Sequence, residues 1–437
     1  MTIPPSFVTI KTVHGVEVVE RRVSLTDALS LEMQAIHVSS LSFSPIHPTE
    51  FYLLLPPLSK RMPFLEELEI VVRQSPSSKS PYLTMPSLEL PGSNFLLLET
   101  LRLDGVALSM TSPFLTSLRH LVLTNYPDVQ PRLLITDFMD ALESCPNLEE
   151  LEIRHYGGIF STDTEEPRRP ANLERLKKLT IQEPSIIISL LLEWLFVPVF
   201  ADVHVTMDLT CAHMDMTEDC FGNLFHVILP TAQNMLPIRQ EIVSIEVNYA
   251  DNTYQVVGET PLGNKLVIEA SFSADPLHHP LVRSIFYESI LCQLGGVFHN
   301  SHVIIASFTG DLNAVTEDGW YLALTHFPLL LRLMATDTSG EPSSAVEHFF
   351  DALGHSADHA RPMVSPHLQA ICFRGATWND WLWVYMTLSM QSRMRAGAKV
   401  ESLWVEARGN GVDLEGKLKN AKSVLDAYTD KCSLLQM

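Results

Sequence analysis

A six-residue phrase, apolar-x-x-apolar-x-apolar, recurs along this chain, and that recurrence limits the possible folds more than any other feature. It reads Leu65-x-x-Leu68-x-Ile70, Leu98-x-x-Leu101-x-Leu103, Leu118-x-x-Leu121-x-Leu123, Leu148-x-x-Leu151-x-Ile153 and Leu176-x-x-Leu179-x-Ile181. Near the C-terminus it returns as Leu368-x-x-Ile371-x-Phe373 and Val400-x-x-Leu403-x-Val405. Weaker copies are Met33-x-x-Ile36-x-Val38, Ile242-x-x-Ile245-x-Val247 and Leu330-x-x-Leu333-x-Ala335. The last two apolar positions lie two apart, so in a strand they point to one side, and the first marks the turn into that strand. Helical stretches precede several copies, as in Leu133 to Leu142 and Ser344 to Leu353.

A helix–strand unit with one apolar face cannot bury that face alone, and stacking units completes a shared core. The expected fold is therefore α/β: an irregular leucine-rich-repeat solenoid, a horseshoe with a parallel sheet on the concave side and helices on the convex side. The middle apolar positions 68, 101, 121, 151 and 179 are separated by 33, 20, 30 and 28 residues. Insertions rich in Ser, Pro, Gly and charge, at 74–94 and 157–172, account for the longer steps. Ile242 to Phe272 alternates around Asp251-Asn252 and Gly263-Asn264 and predicts a small antiparallel meander, and His302 to Phe308 predicts another strand. The expected organisation is a strand-like cap over 1–30 and a first repeat half over 31–207. A connecting segment over 208–240, a second, irregular repeat half over 241–408 and a capping helix over 409–437 complete it, with packing continuous between the halves.

The phrases CPNLEELEIRHYGG (145–158), LETLRLDGVAL (98–108), FPLLLRLMATD (327–337) and SPHLQAICFRG (365–375) resemble those of fungal F-box/leucine-rich-repeat-like proteins. The resemblance runs from about residue 30 to 408. It implies a repeat scaffold that receives substrates for a cullin-type ubiquitin ligase, docked to a Skp-type adaptor through an N-terminal F-box. This chain shows no Leu-Pro-x-Glu-type F-box opening, so the resemblance extends to the scaffold and not to the adaptor contact.

Thirty basic residues face 51 acidic ones, a net charge of -21, and no Lys/Arg run occurs. Nucleic acid and anionic membrane surfaces are poor partners for such a chain, because both require cationic contacts. The six cysteines form no Cys-x-x-Cys pair and no Asn-x-Ser/Thr sequon occurs, which favours a reducing compartment, cytoplasm or nucleus. The N-terminus lacks the charged and apolar regions of a signal peptide. Ser185 to Ala201 is apolar, but Glu193 and Pro198 interrupt it, so a buried helix ending near Pro198 is expected rather than a membrane span.

Signatures of chemistry are weak. Gly411 to Lys417 fits G-x-x-x-x-G-K, yet Leu418 stands where a phosphate loop needs Ser or Thr. His348, His355 and His359 with Asp351 and Asp358 lie across the end of a helix, and His278-His279 lies in a Pro-flanked turn, so neither group reads as a metal site. The rings of Trp378, Trp381, Trp383 and Tyr385 are expected to pack on the sheet from a helix over 380–394. No catalytic residue, cofactor or metal is expected. The alternatives are an α/β hydrolase-like enzyme without a recognisable motif, or a fragment without an independent role.

In stacked strands, residues alternating with the core positions face outward. They include Thr100, Val122, Thr124, Thr180 and Cys372, and the expected partner-binding set is Glu67, Glu69, Arg102, Asp104, His120, Glu150, Glu152, Arg154, Lys178 and Gln182, then Arg374, Trp404 and Glu406. This Glu-rich set suits a basic or polar protein partner of unspecified identity. Trp404 is the expected hot spot, since exposed tryptophan is enriched at interface centres.

Overall fold

The computed structural model describes residues 7–14, 17–24, 37–73, 87–90, 94–109, 113–126, 133–156, 160–161, 169–209, 235–250, 253–272, 280–298, 301–339, 345–354, 362–378, 381–408 and 414–436. It is a mixed α/β fold whose strands pair mostly in parallel. Two compact units divide the chain, Met1–Val205 with Asn234–Leu236, and Thr206–Gln233 with Pro237–Met437.

In the first unit, β1 (Phe7–His14) and β2 (Glu17–Ser24) form an antiparallel hairpin, and β1 also pairs antiparallel with β3 (Val38–Ile46). From β3 the sheet runs in parallel through β4 (Glu67–Val72), β5 (Thr100–Asp104), β6 (His120–Thr124), β7 (Glu150–Arg154) and β8 (Lys178–Glu183). The recurring leucines occupy one row: Leu41, Leu68, Leu101, Leu121, Leu151 and Leu179 pair in register, and none is more than 2% exposed. Phe43, Ile70, Leu103, Leu123, Ile153 and Ile181 form a second buried row beside it. Burying each such side chain contributes about 1.5–3 kcal/mol, so the phrase is the unit of stability.

The same backbone hydrogen bonds repeat at each rung. The amides of Glu99 and Thr100 both donate to Glu66 O, those of Arg119 and His120 to Glu99 O, those of Glu149 and Glu150 to Arg119 O, and those of Lys177 and Lys178 to Glu149 O. The first leucine of each phrase closes a tight turn, as Leu118 N donates to Leu115 O, Leu148 N to Cys145 O and Leu176 N to Leu173 O. β5, β6 and β7 then leave through a left-handed residue two positions past the second buried side chain: Gly105 (φ 70°), Asn125 (φ 53°) and His155 (φ 49°). Helices α1 (Pro48–Leu58), α2 (Ile135–Glu143) and α3 (Ser185–Trp194) lie between strands in sequence, and α2 buries Ile135, Phe138, Met139, Ala141 and Leu142.

The first rung corrects the sequence reading. Val38-x-x-Leu41-x-Phe43 fills it, while Met33 and Ile36 lie outside the described residues. Val38, the third apolar residue of the expected phrase, is thus the first of the real one. The apolar run after Ser185 ends its helix at Trp194, short of Pro198. Among the described residues no helix is long and apolar enough to cross a membrane.

The second unit contains the expected meander, β10 (Ser244–Ala250), β11 (Thr253–Glu259) and β12 (Lys265–Phe272), here numbered after β9 (Asp202–Leu209). β10 continues in parallel into β13 (Ile305–Gly310), β14 (Arg332–Asp337), β15 (Ala370–Thr377), β16 (Ser402–Arg408) and β17 (Lys431–Gln436). Ile245, Ala306, Leu333, Ile371, Leu403 and Cys432 share one buried row. The paired-amide bonds recur, with Leu331 and Arg332 donating to Ile304 O, and Gln369 and Ala370 to Leu331 O.

Helices α4 (Pro280–Val297), α5 (Glu317–Thr325), α6 (Ala345–Gly354), α7 (Leu382–Arg395) and α8 (Leu414–Leu425) alternate with these strands. Thr316 caps α5 by accepting from Gly319 N at 3.2 Å, and Glu317 and Asp318 sit in its first turn, where the helix dipole favours negative charge. Phe308, Trp320, Phe349 and Phe373 stack edge to face in sequence, tying α5 and α6 to the buried side of the sheet. The C-terminal segment differs from expectation: a strand, β17, follows its helix, and Thr429-x-x-Cys432-x-Leu434 forms one more rung.

Candidate functional site

Alternation on the strands of the first unit places a second set of side chains on the face opposite the leucine rows. Register gives that face its own rows. Lys11, Ser40, Glu67, Thr100, His120, Glu150 and Lys178 follow one another across adjacent strands. Beside them run Thr9, Ser42, Glu69, Arg102, Val122, Glu152 and Thr180, and then Val71, Asp104, Thr124, Arg154 and Gln182. All ten residues of the expected partner-binding set in the first unit lie on this face, exposed or half-buried, whereas Thr180, also expected to face outward, is buried.

The face is hollowed at its β1 end into a groove of about 500 Å³. Of the expected residues, Glu67, Glu69, Arg102, His120 and Glu150 line it. Asp104, Glu152, Arg154, Lys178 and Gln182 lie on the same sheet face outside the groove. Thr100, expected to face outward, lines it too, while sequence reasoning missed Thr9, Lys11, Ser40 and Ser42 as lining residues. The first two arrive through the antiparallel pairing of β1 with β3, a contact between segments about 30 residues apart. Their signal was alternation: Val8 and Ile10 are buried, so Thr9 and Lys11 point away from the core.

Hydroxyls fix the groove's acids. Ser40 Oγ donates to Glu67 Oε2 at 3.0 Å and Ser42 Oγ to Glu69 Oε2 at 2.6 Å. Thr100 Oγ1 lies 3.1 Å from His120 Nδ1. The result is a groove lined by held carboxylates at Glu67 and Glu69 together with the cations Lys11 and Arg102. Farther along, Arg154 Nε pairs with Glu152 Oε1 at 2.8 Å. At the strand entrances, Arg119 bridges Glu99 (3.6 Å) and Glu149 (3.2 Å), and Lys177 pairs with Glu149 at 2.5 Å. The Lys177 hydrogen bond lowers the Glu149 pKa; as an exposed pair it adds little stability.

The exposed face of the second unit has a different character. Ser307, Met334, Cys372, Trp404 and Ser433 form one row in register. Met334 is 42% and Trp404 41% exposed, so Trp404 stands out from the sheet, not under the last helix. Trp404 Nε1 donates to Glu406 Oε1 at 3.3 Å, and Arg374 Nε lies 3.6 Å from Glu406 Oε2. Arg374, Trp404 and Glu406 therefore form one cluster, with the Met334 and Cys372 side chains extending its apolar part. Burial raises the Cys372 thiol pKa, which makes it a poor nucleophile.

Among the described residues no group of three or more His, Cys, Asp or Glu is placed to hold a metal ion. His348 Nδ1 sits 3.1 Å from Val315 O, while His278, His279, His355, Asp358, His359 and Gly411 lie outside the described residues. The tryptophan reading needs correction: Trp381 is 68% and Trp383 37% exposed, so these rings do not pack on the sheet. No protein-family model matches the chain, and no curated protein sequence is significantly similar to it.

Proposed function

We propose that this chain is a protein-interaction scaffold of the leucine-rich-repeat solenoid kind, binding a partner on the exposed face of its parallel sheet. The observation that carries the reading is the in-register row Ser40, Glu67, Thr100, His120, Glu150 and Lys178, which presents one side chain per rung beside a groove. Such a row matches an extended partner, each rung meeting a successive group on it. Serine-held carboxylates at Glu67 and Glu69 reduce the ordering cost of binding and favour a partner carrying basic and polar groups. The role is binding and not catalysis; a substrate receptor of a cullin-type ubiquitin ligase is its most specific version.

The test pairs affinity capture with charge reversal. Glu67→Lys with Glu69→Lys leaves the buried rows untouched, so the variant keeps the wild-type melting temperature. Partners retained by wild type and lost by the variant support the reading; an unchanged partner set overturns it. Co-recovery of a cullin and a Skp-type adaptor selects the ligase version, and recovery of partners without them confines the chain to a general scaffold.

A further inference from the structure

The exposed face of the second unit turns cationic over its last four strands. On β14 to β17 the described outward side chains carry four cations, Arg332, Arg374, Arg408 and Lys431, and one carboxylate, Glu406, in a chain whose net charge is -21. The sign changes back at β10, where Glu246 stands in the row of Ser307 and Met334. At the strand entrances Arg332, Ala370, Ser402 and Lys431 pair in register, so two exposed cations flank two small, half-buried residues. In the next row Met334, Cys372 and Trp404 pair in register, so a small half-buried residue lies between two large ones that are 42% and 41% exposed. Met334 and Trp404 are two strand spacings apart, about 10 Å, and Cys372 is the floor of the notch between them. The Trp404 ring is tied along its own strand, since Nε1 donates to Glu406 Oε1 at 3.3 Å and Arg374 holds Glu406 at 3.6 Å. It therefore leans toward Glu406 and not across Cys372.

We propose that these two rows bind an extended acidic segment of a partner protein, with carboxylates at positions i and i+4 and a large apolar side chain at i+2. The proposal rests on reading the exposed sheet face as a binding surface, and it differs from the groove of the first unit in place and in charge preference. Arg332 and Lys431 are three strand spacings apart, about 14 Å. An extended chain rises about 3.3–3.4 Å per residue, so its i and i+4 side chains are about 13–14 Å apart and share one side with i+2. The two outer carboxylates then meet the two cations, and the middle side chain enters the notch over Cys372. Ala370 and Ser402 are small enough to let the segment's backbone lie between the cations. The apolar contact supplies affinity, the wall at Trp404 is ordered in advance, and the charges fix register. Nucleic acid fits less well: a single tryptophan offers one stacking surface, and the net charge of the chain repels a long polyanion far more than a segment with two carboxylates.

The test is fluorescence anisotropy of labelled, terminally blocked peptides with the full chain. The probes are Glu-Ser-Phe-Ser-Glu, the same peptide with lysine for both glutamates, the same with alanine for phenylalanine, and a single-stranded oligothymidylate. The expected result is saturable binding of the first with Kd on the order of 0.1 mM, since a short peptide meets its own ordering cost. The alanine peptide binds about tenfold or more weakly, the scale of one buried ring, and the lysine peptide does not bind detectably. Arg332→Glu with Lys431→Glu, both at exposed positions, reverses the preference, so that the lysine peptide binds and the glutamate peptide does not. That gain of binding separates a charge effect from a damaged fold. Trp404→Ala weakens the glutamate peptide about tenfold or more. The proposal is overturned by absence of glutamate-peptide binding to wild type, by the lysine peptide or the oligothymidylate binding as tightly, or by an unchanged preference in the charge-reversed variant. None of these substitutions touches Glu67 or Glu69. Partner capture that still depends on those two residues, with no peptide binding here, sinks this site and leaves the scaffold reading standing.

Discussion

Gly375 and Gly397 are a matched pair for measuring how tightly adjacent rungs abut. Both have φ of +79°, so an alanine at either must adopt the left-handed conformation. That conformation costs about 1–2 kcal/mol for an L-residue. Restricting the unfolded chain returns about 0.4–1 kcal/mol, leaving a net cost near 1 kcal/mol. Around Gly397 nothing lies within 4 Å of an added Cβ, so Gly397→Ala should show only this conformational cost. At Gly375 the added Cβ would lie 2.2 Å from the carbonyl oxygen of Asp337, on the neighbouring strand, where at least 3.0 Å is needed.

That oxygen belongs to a backbone held in place, since the Asp337 carboxylate accepts from Leu312 N (3.2 Å) and Ser339 N (3.1 Å). Forcing rungs apart in a packed interior costs about 1–3 kcal/mol more. Gly375→Ala should therefore lose about 2–4 kcal/mol in total. Urea denaturation followed by far-UV circular dichroism measures both variants, and thermal melting should show about 2–4 °C for each kcal/mol. Equal destabilisation of the two variants would refute the claim that close rung-to-rung approach, rather than backbone conformation alone, demands glycine at 375.

Other consequences are testable on the same material. Leu151 is 1% exposed between Leu121 and Leu179, so Leu151→Ala should cost about 2–5 kcal/mol, whereas Glu149→Gln, which weakens only exposed ion pairs, should leave the midpoint of the same denaturation assay close to that of wild type. Arg393 is 0% exposed and donates to Val364 O at 3.0 Å and Ser365 O at 2.7 Å, with burial lowering its pKa to about 10. Arg393→Met should cost at least about 1–3 kcal/mol, because Val364 O loses its Arg393 donor while Ser365 O keeps only Leu368 N, and a melt within about 1 °C of wild type would count against this. Burial raises the Cys145 thiol from 9.0 to about 12. The unfolded thiol ionises first, so the folded form holds more protons between those values and stability should fall as pH rises from about 9 to 12. Cys145→Ala should flatten that part of the urea-midpoint profile, and an unchanged slope would exclude the thiol as its source.

The strong copies of the phrase were legible because their information is local. Leu68 and Ile70, or Leu151 and Ile153, declare a strand and its buried side by period-two spacing alone, and the outward residues Glu67, Glu69, Glu150 and Glu152 follow from the same alternation. Degenerate rungs were only partly legible: Val303-x-x-Ala306-x-Phe308 read as a strand but not as a copy of the phrase, and Thr429-x-x-Cys432-x-Leu434 was missed, because both carry small or polar residues at key positions and the hydrogen bonds of neighbouring strands define them. Rung-to-rung order, the placement of Lys11 and Thr9 beside Ser40 and Ser42, and the setting of Cys372 between Met334 and Trp404 all required the tertiary structure. Each joins segments some 20 to 40 residues apart, where side-chain period carries no information about which strand or helix will be the neighbour.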